Sequence, residues 1–263
     1  MKNVFGFLEE APLTGEPAFP TLSGTLYDYW RSDKGTTIKA GSQVAEWVGE
    51  ANGQILVSGS TGGPTISGSN AEFDSKDTLT FDGLTAGVGK ELGQINGNNT
   101  GSINMMIYGA PHPAVHSSNF GAIFGYSTDG NTPLTSELVM RGTSFTQIEL
   151  YGYPPGATNS SNDDTYGKGA YFLTGGRPEG LGQDDFGKFA NKNPFTTTNA
   201  SHAYIPDYTN PRIPFMIGAY NALNSADLFG KVDIAGCAIW TNSTNFQDDC
   251  AAIEEYFQTI FGT

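Results

Sequence analysis

The sequence predicts an all-β protein, built as a two-sheet antiparallel sandwich that ends in one C-terminal α-helix. Three observations predict this class. Glycine supplies 35 of the 263 residues, which is about twice the usual share of roughly 7%. Only 15% of the residues are charged while 12% are aromatic, so the chain is globular and rich in turns rather than disordered. Short β-like runs then follow one another, and a single amphipathic stripe comes after the last of them.

The β-like runs are short and bounded by turn residues, which is typical of a β-sandwich. They span residues 78–81, 102–108, 121–126, 137–140, 146–150, 170–173, 214–217 and 231–241. The last run is the most regular, and strict alternation along it predicts two faces. One face carries Val232, Ile234, Ala238 and Trp240, and the other carries Cys237 and Ile239.

The helix is predicted over residues 245–261. Apolar residues recur there at helical spacing, at Phe246, Cys250, Ile253, Phe257 and Ile260. Asn245 is the expected N-cap, and Gly262 the expected end. Cys237 and Cys250 lie on the last strand and on this helix, so a disulfide and two buried thiols both stay open as interpretations.

The charge of the chain excludes two classes of partner. The formal net charge is -14, from 27 acidic and 13 basic residues. Binding to nucleic acid requires clustered Lys and Arg, and docking on an anionic membrane surface requires them as well. No apolar stretch reaches the 18 residues that a membrane span needs. The first residues also make a poor secretory signal, because Glu9 and Glu10 precede any long apolar run.

Residues 1–20 are predicted to form an extended N-terminal arm, because Pro12, Pro17 and Pro20 disfavour regular structure. The arm has two interpretations: it packs on its own domain, or it anchors the chain to a neighbouring subunit. Its apolar residues would make the assembly contacts, and they are Val4, Phe5, Phe7, Leu8 and Phe19.

Three segments resemble the concanavalin A-like lectin/glucanase superfamily, in its laminin-G-like jelly-roll branch. Residues 26–53 contain Val44, Trp47 and Gly53 at the spacing of that branch's opening motif, although Glu46 and the Gly49–Glu50 pair depart from it. Residues 63–83 end in the characteristic LTFDG. Residues 217–262 combine an FGKVDIA strand with a helix that ends in Phe-Gly. The resemblance implies one jelly-roll domain over residues 21–263, a fold in which the concave face or its rim loops hold sugars.

Sugar binding uses aromatic rings that stack on sugars, together with amides and charged groups that form hydrogen bonds. The candidates lie in or beside the long polar loops between residues 152 and 210: Tyr151, Tyr153, Asn159, Asn162, Asp163, Tyr166 and Arg177. Trp30, Trp47 and Trp240 are instead expected in the core.

Acidic pairs in the same loops offer the oxygen ligands that Ca²⁺ prefers. They are Asp163, Asp164, Asp184 and Asp185, and the alternative is that these are solvated acidic loops. The sequence indicates no other cofactor.

Catalysis is not expected. The superfamily's glucanases use an E-x-D-x-x-E strand, and Glu72–Asp77 (EFDSKD) matches it imperfectly and too early in the chain. No G-x-S-x-G elbow occurs. His112 and His116 have helical spacing, but the prolines on both sides of His112 disfavour a helical metal site.

The function predicted from these features is a non-enzymatic structural protein of a phage virion, such as a decoration, fibre or tail-associated subunit. Its arm would contact other virion subunits or other copies of itself, and its sandwich would project from the virion surface and touch host polysaccharide. Assembly would take place in the host cytoplasm. The alternative is a carbohydrate-binding module or adhesin, extracellular or on a cell surface, and a glucanase-like hydrolase is a minor alternative.

Overall fold

The computed structural model describes residues 15–59, 62–91, 103–112, 120–127, 137–143, 148–153, 167–175, 188–189, 196–197, 214–219 and 229–263. These residues form two antiparallel sheets packed face to face, with one helix against the outer side of one sheet. The predicted all-β sandwich with a C-terminal helix is therefore confirmed. Among the described residues, no helix has the length and apolar character needed to cross a membrane.

Six strands form the back sheet. They are β1 (Thr25–Arg31), β5 (Thr65–Asn70), β6 (Lys76–Asp82), β8 (Ile103–Pro111), β12 (Gly169–Gly175) and β16 (Lys231–Thr241). The long strand β16 is the centre of this sheet: β8 pairs along one side of it, while β6 and β1 share the other side.

Eight strands form the front sheet, in the order β11-β10-β9-β15-β7-β4-β3-β2. They are β2 (Thr36–Ile38), β3 (Val44–Val48), β4 (Ile55–Ser58), β7 (Val88–Glu91), β9 (Phe120–Ser127), β10 (Glu137–Thr143), β11 (Ile148–Tyr153) and β15 (Pro214–Ile217). Two further short strands, β13 (Lys188–Phe189) and β14 (Thr196–Thr197), pair only with each other among the described strands.

The main core fills the space between the two sheets. Trp30 and Trp47 are fully buried there, as predicted, with the apolar faces of β6, β8, β15 and β16. Each indole N–H donates to a backbone carbonyl: Trp30 Nε1 to the oxygen of Gln54 at 3.0 Å, and Trp47 Nε1 to that of Arg31 at 2.7 Å. These two indole rings are therefore buried without leaving their N–H groups unpaired.

A second core lies between the back sheet and the C-terminal helix α1 (Phe246–Phe261). The predicted apolar stripe faces this core, and Phe246, Cys250, Ile253 and Phe257 are fully or almost fully buried. Gly262 ends the helix with a positive φ of 77°, as expected. Asn245 is the N-cap residue, as expected, but its side chain donates to Asp248 instead of accepting a hydrogen bond from the start of the helix.

The predicted faces of β16 were wrong, because the strand contains a β-bulge. Ile234 pairs with Gly109 and Gly236 pairs with Tyr108, so Ala235 is an extra residue. A bulge shifts the alternation by one residue. Val232, Ile234, Cys237 and Ile239 therefore face the main core, whereas Ala238 and Trp240 face the helix.

The bulge also decides between the two interpretations of the cysteines. Cys237 lies in the core between the sheets and Cys250 in the core under the helix. Both are fully buried thiols on opposite sides of the back sheet. A disulfide between them is excluded, and burial raises the pKa of the Cys237 thiol well above its ordinary value.

The segment that resembles the superfamily's opening motif folds around a buried carboxylate. Asp28 on β1 accepts hydrogen bonds from four backbone N–H groups, three of them in the turn between β3 and β4. Gly49 has no room for a side chain, because a Cβ there would overlap the Asp28 carboxylate. Asp28 thus links the β3–β4 turn of the front sheet to β1 of the back sheet.

Candidate functional site

We call the side of the front sheet that points away from the back sheet the front face. The strand register defines its central row, which crosses seven strands as Glu46, Val57, Gly89, Met216, Gly125, Val139 and Tyr151. Directly paired residues of antiparallel strands share a face. The flanking pairs Trp47–Leu56 and Val88–Ile217 lie in the main core, which confirms that this row faces outward. Six strand spacings make the row about 29 Å long.

The central row is covered in the middle and open at the β4 end. Met216 is fully buried, and Gly89 and Gly125 on either side of it are buried as well. Val57 and Ile55 on β4 keep 38% and 37% of their surface exposed, and Glu46 beside them is exposed. The front face therefore does not present one uniform groove along its length.

The opposite end of the front face is formed by β10 and β11. Their register brings together, in successive pairs, Glu137 with Tyr153, Val139 with Tyr151, and Arg141 with Glu149. The intervening positions, Leu138, Met140 and Leu150, are apolar and lie on the inward face. Two of the tyrosines predicted to bind glycan thus occupy neighbouring positions on the front face, two residues apart on one strand.

The other predicted glycan and metal ligands lie outside the described residues. They are Asn159, Asn162, Asp163, Asp164, Tyr166, Arg177, Asp184 and Asp185. Within the part of the chain that the structure describes, no three His, Cys, Asp or Glu side chains come together as a metal site would require. Calcium binding by the acidic loops stays a prediction.

The segment Glu72–Asp77, whose sequence resembles the glucanase motif, does not form the single strand that the motif requires. Ala71–Phe73 is a turn of 3-10 helix, and Asp74 and Ser75 follow with positive φ angles of 51° and 58°. Phe73 is buried under α1, on the opposite side of the molecule from the front face. Glu72 and Asp74 therefore lack the common strand face that the two-carboxylate mechanism uses.

On the outer side of the back sheet, the side chains of His112 and Asp233 form a hydrogen bond. His112 Nε2 lies 3.0 Å from Asp233 Oδ2, and Thr80 Oγ1 donates to Asp233 Oδ1 at 2.6 Å. Burial of Asp233 raises its pKa, but the hydrogen bonds from His112 and Thr80 outweigh that effect and lower it. The cluster joins the ends of β6, β8 and β16.

Residues 16–24, which we call the strap, pack on the sandwich of their own chain. The Phe19 ring stacks on Tyr29 with centroids 4.0 Å apart and meets Tyr256 edge-on at 5.0 Å. Ser23 donates to the buried Asp249 of the helix through both N–H and Oγ, at 2.7 and 2.8 Å. Of the predicted assembly residues, Phe19 contacts its own domain, while Val4, Phe5, Phe7 and Leu8 lie outside the described residues.

Arg31 fixes the start of the strap. Its nearly buried guanidinium binds both carboxylate oxygens of Asp33, at 3.0 and 2.6 Å, and also Glu16. Burial alone would lower the pKa of Arg31, but the hydrogen bonds to Asp33 and Glu16 raise it. The Glu16 carboxylate has its pKa lowered by hydrogen bonds from Lys34 and Arg31.

Sequence reasoning missed Glu16, Asp28, Arg31 and Asp249. Each has at least one partner that is distant in the sequence, from 15 residues for the Glu16–Arg31 pair to 226 residues for the Ser23–Asp249 pair. The local pattern around each residue therefore carries no signal of its role.

Comparison with known proteins gives similarity at the level of the fold. No protein-family model matches the sequence, and no curated protein matches it. Among solved structures, Trypanosoma rangeli sialidase in complex with sialic acid is 12% identical with a TM-score of 0.59, over 94% of this chain. The same enzyme in complex with 2,3-difluoro-KDN is 12% identical with a TM-score of 0.59, over 96% of this chain. A mutant of the T. rangeli enzyme that displays trans-sialidase activity is 13% identical with a TM-score of 0.57, over 94% of this chain.

The similarity is to part of a sialidase. This chain spans 35–36% of the length of those three enzymes. At 12–13% identity the likeness establishes a shared β-sandwich fold and nothing about activity.

Proposed function

We propose that this chain is a non-enzymatic, concanavalin A-like lectin-type domain that binds carbohydrate at the β10–β11 end of its front face. The observation that carries the proposal is that Tyr151 and Tyr153 lie two residues apart on one strand of that face. The pairing of Glu137 with Tyr153, and of Arg141 with Glu149, adds hydrogen-bonding groups beside the aromatic positions.

The chemistry of these positions suits a sugar. A sugar ring has an apolar C–H face and a rim of hydroxyl groups, and an aromatic side chain offers rigid apolar area at low entropic cost. A few polar groups around such a platform fix the orientation of the ligand. The fold also supports the proposal, because one of the similar structures is a sialidase in complex with a sugar, sialic acid.

Two observations support a binding rather than a hydrolytic role. Glycosidases place two carboxyl groups about 5–9.5 Å apart across the scissile bond. On the front face, Glu137 and Glu149 are on paired strands but offset by four residues, which is about 14 Å along the strand. The EFDSKD segment, as described above, is a turn and not a strand.

A glycan-array screen followed by calorimetry on the best ligand tests the proposal. We expect Tyr151→Ala and Tyr153→Ala each to weaken binding at least about tenfold, which equals about 1.4 kcal/mol. Tyr151→Phe is the matched control, because it keeps the ring and should retain most of the affinity. Binding that survives both alanine variants, in proteins of unchanged melting temperature, would remove this end of the face as the site.

We further propose that the domain is displayed on a phage virion, through assembly contacts made by residues that precede the strap. What supports this is the acidic, lysine-poor composition, together with the apolar residues Val4, Phe5, Phe7 and Leu8 that precede the strap in the sequence. Display at a cell surface as an adhesin is the alternative location for the same binding face.

Light scattering on the full chain and on a variant lacking residues 1–14 tests the assembly contact. The truncation keeps the strap, because the strap is part of the sandwich. We expect the full chain to form larger particles or to join virion subunits, and the truncated chain to be a monomer. Two identical monomers would refute the assembly role and leave the carbohydrate proposal untouched.

A further inference from the structure

The turn between β3 and β4 carries an Asn-Gly pair, Asn52–Gly53, at the surface of the molecule. Both residues are exposed. Gly53 has a positive φ of 66°, and nothing lies within 4 Å of the position that a Cβ would take there. Because glycine has no side chain, it leaves the backbone nitrogen that follows Asn52 without steric cover.

That nitrogen is also free of hydrogen bonds. Its three neighbours in the turn donate to the buried Asp28 carboxylate, and they are the N–H groups of Ala51, Asn52 and Gln54, at 2.9, 3.2 and 2.7 Å. In the part of the chain that the structure describes, the Gly53 N–H has no hydrogen-bond partner. The Gly53 nitrogen can therefore react without first breaking a contact of the fold.

The side chain of Asn52 joins the front sheet to the back sheet. Its Nδ2 donates to the backbone oxygen of Tyr27 at 2.7 Å and to that of Leu26 at 3.4 Å, and both residues lie on β1. These contacts require an amide, because an ionised carboxylate can only accept hydrogen bonds. A change of this one group from amide to acid would thus remove part of the link between the sheets.

We propose that Asn52 is a site of spontaneous deamidation, a covalent modification whose only co-reactant is water. The Gly53 nitrogen attacks Cγ of Asn52 and loses its proton. The Cγ–Nδ2 bond breaks, the amide nitrogen leaves as ammonia, and a five-membered succinimide ring remains. Water then opens the ring at one of its two carbonyl carbons, which yields aspartate or isoaspartate. No atom is oxidised or reduced in either step.

The structure gives this modification a consequence for the fold. In the aspartate product, a carboxylate replaces the donor and faces the backbone oxygens of Leu26 and Tyr27, which lose their partner. The isoaspartate product also adds one carbon to the main chain, which displaces the neighbouring N–H groups from the Asp28 carboxylate. Both products should therefore weaken the link between the β3–β4 turn and β1.

Peptide mapping by mass spectrometry tests the site on the folded full chain, after incubation in mildly alkaline buffer. A second Asn-Gly pair, Asn96–Gly97, lies outside the described residues, so Asn96→Gln serves as the background. We expect Asn52 to convert at least about tenfold faster than Asn70 or Asn242, whose following residues carry side chains that hinder the attack. Asn52→Gln is the matched variant, since it keeps an amide but would need a larger ring to react.

Two results would overturn the site. One is conversion of Asn52 no faster than that of Asn70 and Asn242. The other is conversion of Asn52 that takes place in denaturant but not in the folded protein, because the turn would then protect the amide rather than leave it open to attack.

Thermal unfolding tests the consequence separately. We expect Asn52→Asp, which reproduces one product, to lower the melting temperature by at least about 2 °C. The aged protein should show a fall in proportion to its modified fraction. Thr21→Asp is the control for an added negative charge at an exposed position, and should leave the melting temperature nearly unchanged. An equal effect of the two aspartate variants, or none from Asn52→Asp, would overturn the role of the amide in linking the sheets.

Discussion

Replacing Phe19 by alanine tests whether the strap belongs to the folded sandwich. The ring is half-buried between Tyr29, on which it stacks at 4.0 Å, and Tyr256, which it meets edge-on. It also packs against the core beneath the helix. The variant removes these contacts and leaves the backbone of an irregular segment unchanged, so the loss reports side-chain packing.

The expected loss of stability follows from this geometry. Full burial of a Phe side chain contributes about 1.5–3 kcal/mol, and about half of that applies to a half-buried ring. Each favourable aromatic pair adds about 0.5–1.5 kcal/mol. We therefore expect Phe19→Ala to lower the free energy of unfolding by about 2 kcal/mol. For a domain of this size, that corresponds to a fall in melting temperature of about 4–8 °C.

Urea unfolding and calorimetry measure this loss, and a double-mutant cycle with Tyr29→Ala isolates the stacking term. We expect a coupling energy of about 1 kcal/mol between Phe19 and Tyr29. Thr21→Ala is the matched control, since Thr21 is exposed on the same strap and should change stability by less than about 0.5 kcal/mol. A coupling energy near zero, or an equal effect of Thr21→Ala, would show that the strap is not packed as described.

Three further predictions concern the back sheet. The lowered pKa of Asp233 implies stability that is present above the ordinary carboxyl value of 3.8 and lost as the pH falls through the lower folded value. The stability gap between the parent protein and Asp233→Asn should therefore narrow below about pH 4 in urea titrations, and a constant gap would contradict this. Gly236→Ala should destabilise by about 1–3 kcal/mol, because a Cβ there overlaps the Phe257 ring, whereas Gly68→Ala, with open space around it, should not. Because Cys237 and Cys250 are on opposite sides of the sheet, adding dithiothreitol should leave the melting temperature unchanged, and a fall would reveal a disulfide.

The C-terminal end of the fold, from β15 to α1, was the most predictable from sequence. Strands β15 and β16 have the predicted bounds, and α1 begins and ends within one residue of the prediction. Apolar residues recur in these elements where the chain is buried, and turn residues that are recognisable in the sequence bound each element. The predicted apolar stripe of the helix lies in the second core, because a 16-residue helix with one apolar face must bury that face.

The first half of the sandwich was less predictable. Apolar and polar residues alternate only weakly along strands β1 to β5, because several of these strands lie at a sheet edge or carry polar residues on an exposed face. The prediction of which residues share a face of β16 was wrong for a different reason. The bulge depends on how β16 pairs with β8, and nothing in the local sequence around Ala235 indicates an extra residue.

The front face shows why the residues of a proposed site on a β-sheet are hard to find from the sequence alone. Tyr151 and Tyr153 were candidates because they are aromatic residues beside long loops, but Glu91, Glu137 and Glu149 look unremarkable in the sequence. Their common face follows from register, which joins positions 58 residues apart between Glu91 and Glu149. The pairing of strands, and not the local sequence, places these positions in the sheet that contains the tyrosines. A site proposed on this sheet therefore depends on strand register, which joins segments far apart in the sequence and leaves no local pattern.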